Sequence, residues 1–157
     1  MKVFNISIDE SSIFNAIKSM SVVERGTFVT PLTTLPPSAT IDIATDCRYV
    51  DIPKDFVDTI YQQAILNDVH SSAIKYSNCI GYPPKGGMGW HTNSDSAGMR
   101  IYASFSENGD SGMVWYKDGR IVVDKDTIGL NIRQFTVPCW HGVWSNCYRF
   151  SLGFKII

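Results

Sequence analysis

The second half of the chain consists of short segments that are typical of β-strands. After about residue 74, runs rich in β-branched and aromatic residues alternate with turn sequences such as ENGDSG and KDGR. The predicted strands are residues 73–82, 99–106, 112–118, 119–124, 133–138 and 147–156. Short strands joined by tight turns favour an antiparallel sandwich or barrel, so this pattern limits the fold to a mainly β architecture.

The first half has a different texture. Residues 9–20 and 55–66 carry apolar side chains at helical spacing, whereas residues 26–53 are rich in Thr and Pro and predict an irregular or edge-strand segment. A chain of 157 residues is most simply one domain. We therefore predict a mainly β fold with flanking α-helices, in which residues 1–73 form a helical and irregular flank and residues 74–157 form the core.

Composition narrows the possible partners. The formal net charge is -1, from 14 Lys plus Arg against 15 Asp plus Glu, which argues against nucleic acid as a partner. The sequence shows no export signal and no run of 18 apolar residues, which predicts a soluble cytoplasmic protein without a membrane partner. The cysteines form no CxxC pair and are predicted to be buried thiols: Cys47, Cys79, Cys139 and Cys147.

Two histidines and an arginine are the candidates for chemistry. His91, in GWHTN, and His141, in CWHGV, lie fifty residues apart in the β-rich half, and Arg149 follows eight residues later in YRFSLGF. Strand alternation places Arg149 and Ser151 on one face and three large apolar residues on the other, which points the arginine into solvent or a polar cavity. The third histidine, His70, is predicted to be structural.

This order of residues resembles the iron(II)/2-oxoglutarate-dependent oxygenase superfamily, whose fold is a double-stranded β-helix, also called a jelly roll and shared with cupins. The resemblance covers the β-rich half of the chain. It implies that His91 and His141 bind Fe(II), and that Arg149 and Ser151 hold the distal carboxylate of 2-oxoglutarate. Tyr82, nine residues before the first histidine, resembles a tyrosine of AlkB-like members that also contacts 2-oxoglutarate. The HTN sequence and the chain's ending resemble those of phage-encoded members, which would act in the host cytoplasm.

Asn93 departs from the family pattern, which places an aspartate or glutamate at this position. An amide offers a carbonyl oxygen but no charge, so iron affinity should fall. Asn93 could ligate through its oxygen; Asp95, on the same face if the strand continues, could supply the carboxylate; or the position could be open to water or an anion, as in halogenating members. A fourth alternative is that the metal chemistry has been lost.

The resemblance implies a dioxygenase that hydroxylates a protein side chain or a small metabolite and releases succinate and carbon dioxide. One alternative is a cupin-like metalloprotein, such as an isomerase or lyase, in which Arg149 is turned away from the metal. Another is a non-catalytic binding module with a decayed metal site. Arg100 or Arg133 could replace Arg149 as the cosubstrate anchor.

The tryptophans next to the two histidines are expected to pack on the opposite strand face. Trp90 and Trp140 each directly precede a histidine, so their side chains should point away from the metal. We expect the open mouth of the site near Trp144 and the hairpin of residues 105–120.

Overall fold

The computed structural model describes residues 9–19, 32–34, 36–37, 47–65 and 74–156. Its helical elements are α1 (Glu10–Ser19), α2 (Lys54–Ile60) and a π-helical turn (Tyr61–Ile65) that continues α2. The strands in this part of the chain are β1 (Arg48–Tyr49), β2 (Ile74–Tyr82), β3 (Gly86–His91), β4 (Gly98–Ser106), β5 (Ser111–Lys117), β6 (Arg120–Lys125), β7 (Gly129–Val137), β8 (His141–Ser145) and β9 (Arg149–Ile156).

The strands form two antiparallel sheets with nested pairing. The larger sheet has the order β1-β2-β9-β4-β7 and the smaller one β3-β8-β5-β6. From β2 onward the first strand pairs with the last, β2 with β9, then β3 with β8, β4 with β7 and β5 with β6. Successive pairs alternate between the two sheets, which is the arrangement of a jelly roll. The predicted jelly-roll fold with flanking helices is confirmed.

Each face of the larger sheet packs against a different partner. The odd-numbered apolar residues of β4 and the even-numbered ones of β9 form the main core with α1 and α2. Phe150 contacts Phe14 of α1 with ring centroids 5.0 Å apart, and Phe105 contacts Phe56 of α2 at 5.8 Å. The opposite face meets the smaller sheet in a second cluster that includes Tyr82, Met113, Trp115 and Val143. The candidate site lies on this inter-sheet side.

The elements differ from the sequence predictions in a few places. All six predicted strands are found, but β3 and β8, which carry the two histidines, were not among them. The second helix was predicted to be α-helical over residues 55–66, whereas its last five described residues form a π-helical turn. Most of the predicted irregular segment lies outside the described residues, and its described part contains β1, an edge strand. None of the helices described is long and apolar enough to cross a membrane.

Candidate metal and anion site

The two histidines of the β-rich half face each other across two paired strands. His91 at the end of β3 is the register partner of His141 at the start of β8, and their ring centroids are 4.1 Å apart. Each Nδ1 lies 2.7 Å from the carbonyl oxygen two residues earlier, of Gly89 and Cys139 respectively. A carbonyl only accepts hydrogen bonds, so each Nδ1 carries the proton and each Nε2 has a free lone pair.

A β-bulge brings His91 into this position. Met88 pairs with Val143, yet His91, three residues on, pairs with His141, only two residues before Val143. Regular alternation from Met88 would have pointed Trp90 between the sheets and His91 away from them. The extra residue reverses these two orientations, so that His91 points between the sheets. Trp90 is buried in a separate cluster with Val114 on the opposite face of the smaller sheet.

Burial keeps both imidazoles neutral. Desolvation, followed by repulsion from His91, lowers the pKa of His141 to about 4. Desolvation also lowers the pKa of His91, against a smaller opposing effect of its hydrogen bond to Gly89. His141 is fully buried between Trp115 and Phe135, and no residue in the described part of the chain hydrogen-bonds to its Nε2. Neutral imidazoles with free Nε2 atoms are ready to bind a metal ion without releasing protons.

A cavity of about 300 Å³ opens beside the two histidines. Tyr82, Ser151, Asn93 and Asp95 also line it. The predicted mouth is wrong, because no residue of the 105–120 hairpin lines the cavity and Trp144 packs against the cluster around Trp90 instead.

The two tryptophans that precede the histidines have different environments. Trp90 is buried, as predicted, whereas Trp140 is 43% exposed and its predicted role as a packing residue is wrong. The predicted burial of the cysteines is correct only for Cys79 and Cys147, and none of the four cysteines forms a disulfide.

A turn follows His91 and carries the candidates for the third ligand. β3 ends at His91, and the amide of Ser96 donates to the carbonyl of Asn93 at 3.2 Å, so strand alternation does not extend to Asp95. Asn93 has a positive φ of 56°, which asparagine tolerates better than most residues, and its side chain is hydrogen-bonded to Tyr102. Among the described residues, no group of three His, Cys, Asp or Glu side chains could hold a metal ion.

Arg149 is completely buried and ion-paired. Its Nε donates to Asp126 at 2.8 Å, while Nη1 and Nη2 have no hydrogen-bond partner among the described residues. It is the register partner of Tyr82, and its guanidinium carbon lies 5.5 Å from the centre of the Tyr82 ring. Tyr82 and Ser151 line the cavity, but Arg149 does not. The predicted face separation on β9 is observed, since Phe150 and its two apolar neighbours along the strand lie in the core on the other side.

Asp126 connects this arginine to a second one. Its other carboxylate oxygen, Oδ1, accepts from Arg133 at 2.6 Å. Ser111 donates at 2.6 Å to Oδ2, the oxygen that also accepts from Arg149. Burial alone would raise the pKa of Asp126, but attraction to Arg149 and Arg133 and the hydrogen bonds outweigh it and lower that pKa. Arg133, one of the alternative anchors, is therefore committed to Asp126 and Asp124, whereas Arg100, the other one, lines the cavity.

Several residues of the site were missed by the sequence predictions. Tyr102 and Lys155 line the cavity, and Asp126 holds Arg149. Alternation within β4 places Tyr102 on the same face as Arg100, and alternation within β9 places Lys155 on the same face as Arg149. Those two residues were thus detectable from the sequence. Asp126 lies in the β6–β7 connection, where no periodic pattern indicates which way a side chain points.

No family model matches the sequence, and no curated protein is significantly similar to it. Solved structures with similar folds include a cupin domain from Bordetella pertussis Tohama I and a prolyl-4-hydroxylase from Pseudomonas putida. The cupin domain is 17% identical with a TM-score of 0.37, over 57% of this chain and 88% of that one. The hydroxylase is 18% identical with a TM-score of 0.41, over 70% of this chain and 67% of that one. At these values we infer an activity from neither of them.

Proposed function

We propose that this protein binds Fe(II) through His91 and His141 and uses it with 2-oxoglutarate and oxygen to hydroxylate an organic substrate. The observation that carries the proposal is the matched pair of imidazoles, in which a backbone carbonyl fixes each Nδ1 as the donor and leaves each Nε2 unprotonated. The Nε2 of His141 is a buried acceptor without a partner among the described residues, which costs about 1–3 kcal/mol of folding free energy. A ligand that binds this atom would offset that cost. Paired imidazoles are common ligands of iron.

Arg149 is the residue that we propose for the distal carboxylate of 2-oxoglutarate. Asp126 occupies only the Nε side of the guanidinium, so within the described structure the Nη1 and Nη2 donors form an unpartnered edge that matches a carboxylate. Ser151, on the same strand as Arg149, and Tyr82, on the neighbouring strand β2, both line the cavity. Because Arg149 does not line the cavity, binding there requires a side-chain movement that opens the cavity to it.

The rest of the site supports this chemistry through exclusion of water and control of charge. When bound, iron and 2-oxoglutarate supply the oxidation: the keto acid loses carbon dioxide and becomes succinate, while the two atoms of oxygen go to succinate and to a substrate hydroxyl. Trp115 and Phe135 pack around His141 and keep water from it. Asn93 contributes a neutral amide held by Tyr102, and Asp95 is the only acidic residue among the described cavity lining. None of the four cysteines forms a disulfide, which fits a reducing compartment such as the cytoplasm.

One observation favours a second candidate, a cupin-like metalloprotein that does not use 2-oxoglutarate. Asp126 already balances the charge of Arg149, and Arg149 is outside the cavity lining. In this alternative the arginine is structural and the histidine pair binds a metal for other chemistry. Asn93 in place of a carboxylate favours the third alternative, a binding module without metal.

Anaerobic titration of the metal-free protein with Fe(II), followed by 2-oxoglutarate, tests these alternatives. A keto acid that chelates iron produces a weak visible charge-transfer band. We expect this band in the wild type, its loss in His141→Ala, and its weakening in Arg149→Gln. His70→Ala and Arg120→Gln, at the predicted structural histidine and at an exposed arginine of β6, are the matched controls and should retain the band.

Each result separates the alternatives. Metal binding without a band supports the cupin-like alternative, since iron is then held without the keto acid. Absence of metal binding in the wild type rejects both metalloproteins. If a band then appears in Asn93→Asp, the missing carboxylate is the cause, and the search moves to a binding partner.

A further inference from the structure

A pair of cations lies in the same cavity as the histidines. Arg100 on β4 and Lys155 on β9 are direct register partners, and both line the cavity. Their side chains therefore emerge from the same face of the larger sheet, next to the 93–96 turn. Neither residue belongs to the Arg149–Asp126 network, whose ion pairs lie elsewhere on this face.

Arg100 is buried without a compensating carboxylate among the described residues. It is only 5% exposed, and no carboxylate in the described part of the chain lies within ion-pair distance of it or of Lys155. Its guanidinium instead donates to neutral oxygens, those of the Met99 carbonyl and of the Ser96 carbonyl and hydroxyl. A buried arginine is normally paired with an anion, so an uncompensated one that lines a cavity calls for a negatively charged ligand.

Ser96 joins the two cations. Its hydroxyl oxygen accepts from Arg100 Nη2 at 3.0 Å and from Lys155 Nζ at 3.3 Å. With both lone pairs used in this way, the hydroxyl hydrogen is free to donate to a third group. The three side chains thus offer only donors to a ligand, which is the complement of an oxyanion.

We propose that Arg100, Lys155 and Ser96 bind the anionic group of a small substrate, a carboxylate or a phosphate, whose remaining part extends toward His91 and His141. The cavity volume of about 300 Å³ is at the small end of the range for small-molecule sites. The identification of this ligand as the substrate rests on the proposed function, whereas anion binding by the cationic pair does not depend on a metal.

Titration of the metal-free protein with inorganic phosphate and, separately, with acetate at constant ionic strength tests this proposal. Backbone amide shifts in the NMR spectrum report the site, and we expect saturable shifts around Ser96 and Gly153. Arg100→Gln should weaken binding about tenfold or more, because a charge-assisted hydrogen bond is lost. Lys155→Gln, at a half-buried position, tests the same site if the buried arginine variant does not fold. The stronger of the two probes identifies the ligand group as a phosphate or a carboxylate.

The controls separate this site from the proposed metal and cosubstrate sites. Arg120→Gln, His91→Ala and Arg149→Gln should all leave phosphate binding unchanged. Unchanged shifts in Arg100→Gln and Lys155→Gln would overturn the proposal, as would loss of binding in Arg149→Gln. If 2-oxoglutarate displaces phosphate from the metal-free protein and fails to bind Arg100→Gln, the pair holds the cosubstrate, and its assignment to the substrate is wrong. Saturable phosphate binding without any iron binding would support the anion site while rejecting the proposed oxygenase.

Discussion

Acidification should destabilise this protein in a pH range set by His141. Its pKa is lowered from an ordinary value of 6.5 to about 4 in the folded state, mainly by desolvation. The unfolded chain therefore binds the proton first, and protonation favours unfolding. The contribution of neutral His141 to folding stability is constant above about pH 6.5, decreases as the pH falls, and is gone below about pH 4. The gap between the two pKa values corresponds to about 3 kcal/mol of folding free energy.

Urea unfolding of the chelator-treated protein at pH values from about 7.5 to about 4.5 measures this effect. Removal of metal matters because a bound ion would compete with the proton. His141→Gln removes the titrating group, and the difference in unfolding free energy between wild type and variant should change by more than about 2 kcal/mol across this range. His91 also lowers folding stability on acidification, but it does so in both the wild type and the variant. Asp126 loses its contribution to folding stability only at lower pH. If the unfolding free energies of the wild type and His141→Gln changed in parallel with pH, His141 would not be desolvated and the predicted pH dependence would be refuted.

Three further perturbations test other parts of the structure. Asp126→Asn should cost about 3–5 kcal/mol in unfolding free energy, because it removes the carboxylate that pairs with the buried Arg149 and leaves Arg133 only its pair with Asp124. Asp124→Asn, at a half-exposed carboxylate, should cost less than about 1 kcal/mol. Gly112→Ala should destabilise by at least about 1–3 kcal/mol in the same assay, since its new Cβ would meet the carbonyl oxygen of Asp124. Trp115 lies 5.7 Å from the His141 ring, so its fluorescence should be quenched when Fe(II) binds, and unchanged emission during a titration that shows binding would place the metal elsewhere.

The sequence predicts most of the fold because its strands follow simple local rules. In β9 the period of two separates Ser151 and Gly153, which line the cavity, from Phe150 and its apolar neighbours in the core. The nested strand order could be expected only through the family resemblance, because pairing between β2 and β9 depends on contacts distant in sequence. The π-helical turn after α2 was missed because the periodicity of that segment is compatible with a continuous α-helix.

The site was less predictable because it depends on departures from regular strands. The bulge before His91 reverses the alternation set by Met88, and no residue type in GMGWH specifies where an extra residue is inserted. The end of β3 at His91 likewise places Asp95 on a turn, so the argument from a shared strand face does not apply. The same turn brings Ser96 between two cations, which no motif indicates.

The charges around the cavity explain how the two histidines could hold a divalent cation although no carboxylate lies beside them on a strand. The two histidines and Asn93 are neutral, and among the described lining residues the single acid, Asp95, is outnumbered by Arg100 and Lys155. A metal ion alone would gain little charge compensation from the protein, whereas a doubly negative keto acid bound with it cancels its charge. Metal and anion should therefore raise each other's affinity by the same factor. A carboxylate introduced by Asn93→Asp should strengthen metal binding alone and reduce this coupling. Equal metal affinity with and without the keto acid would refute this coupling.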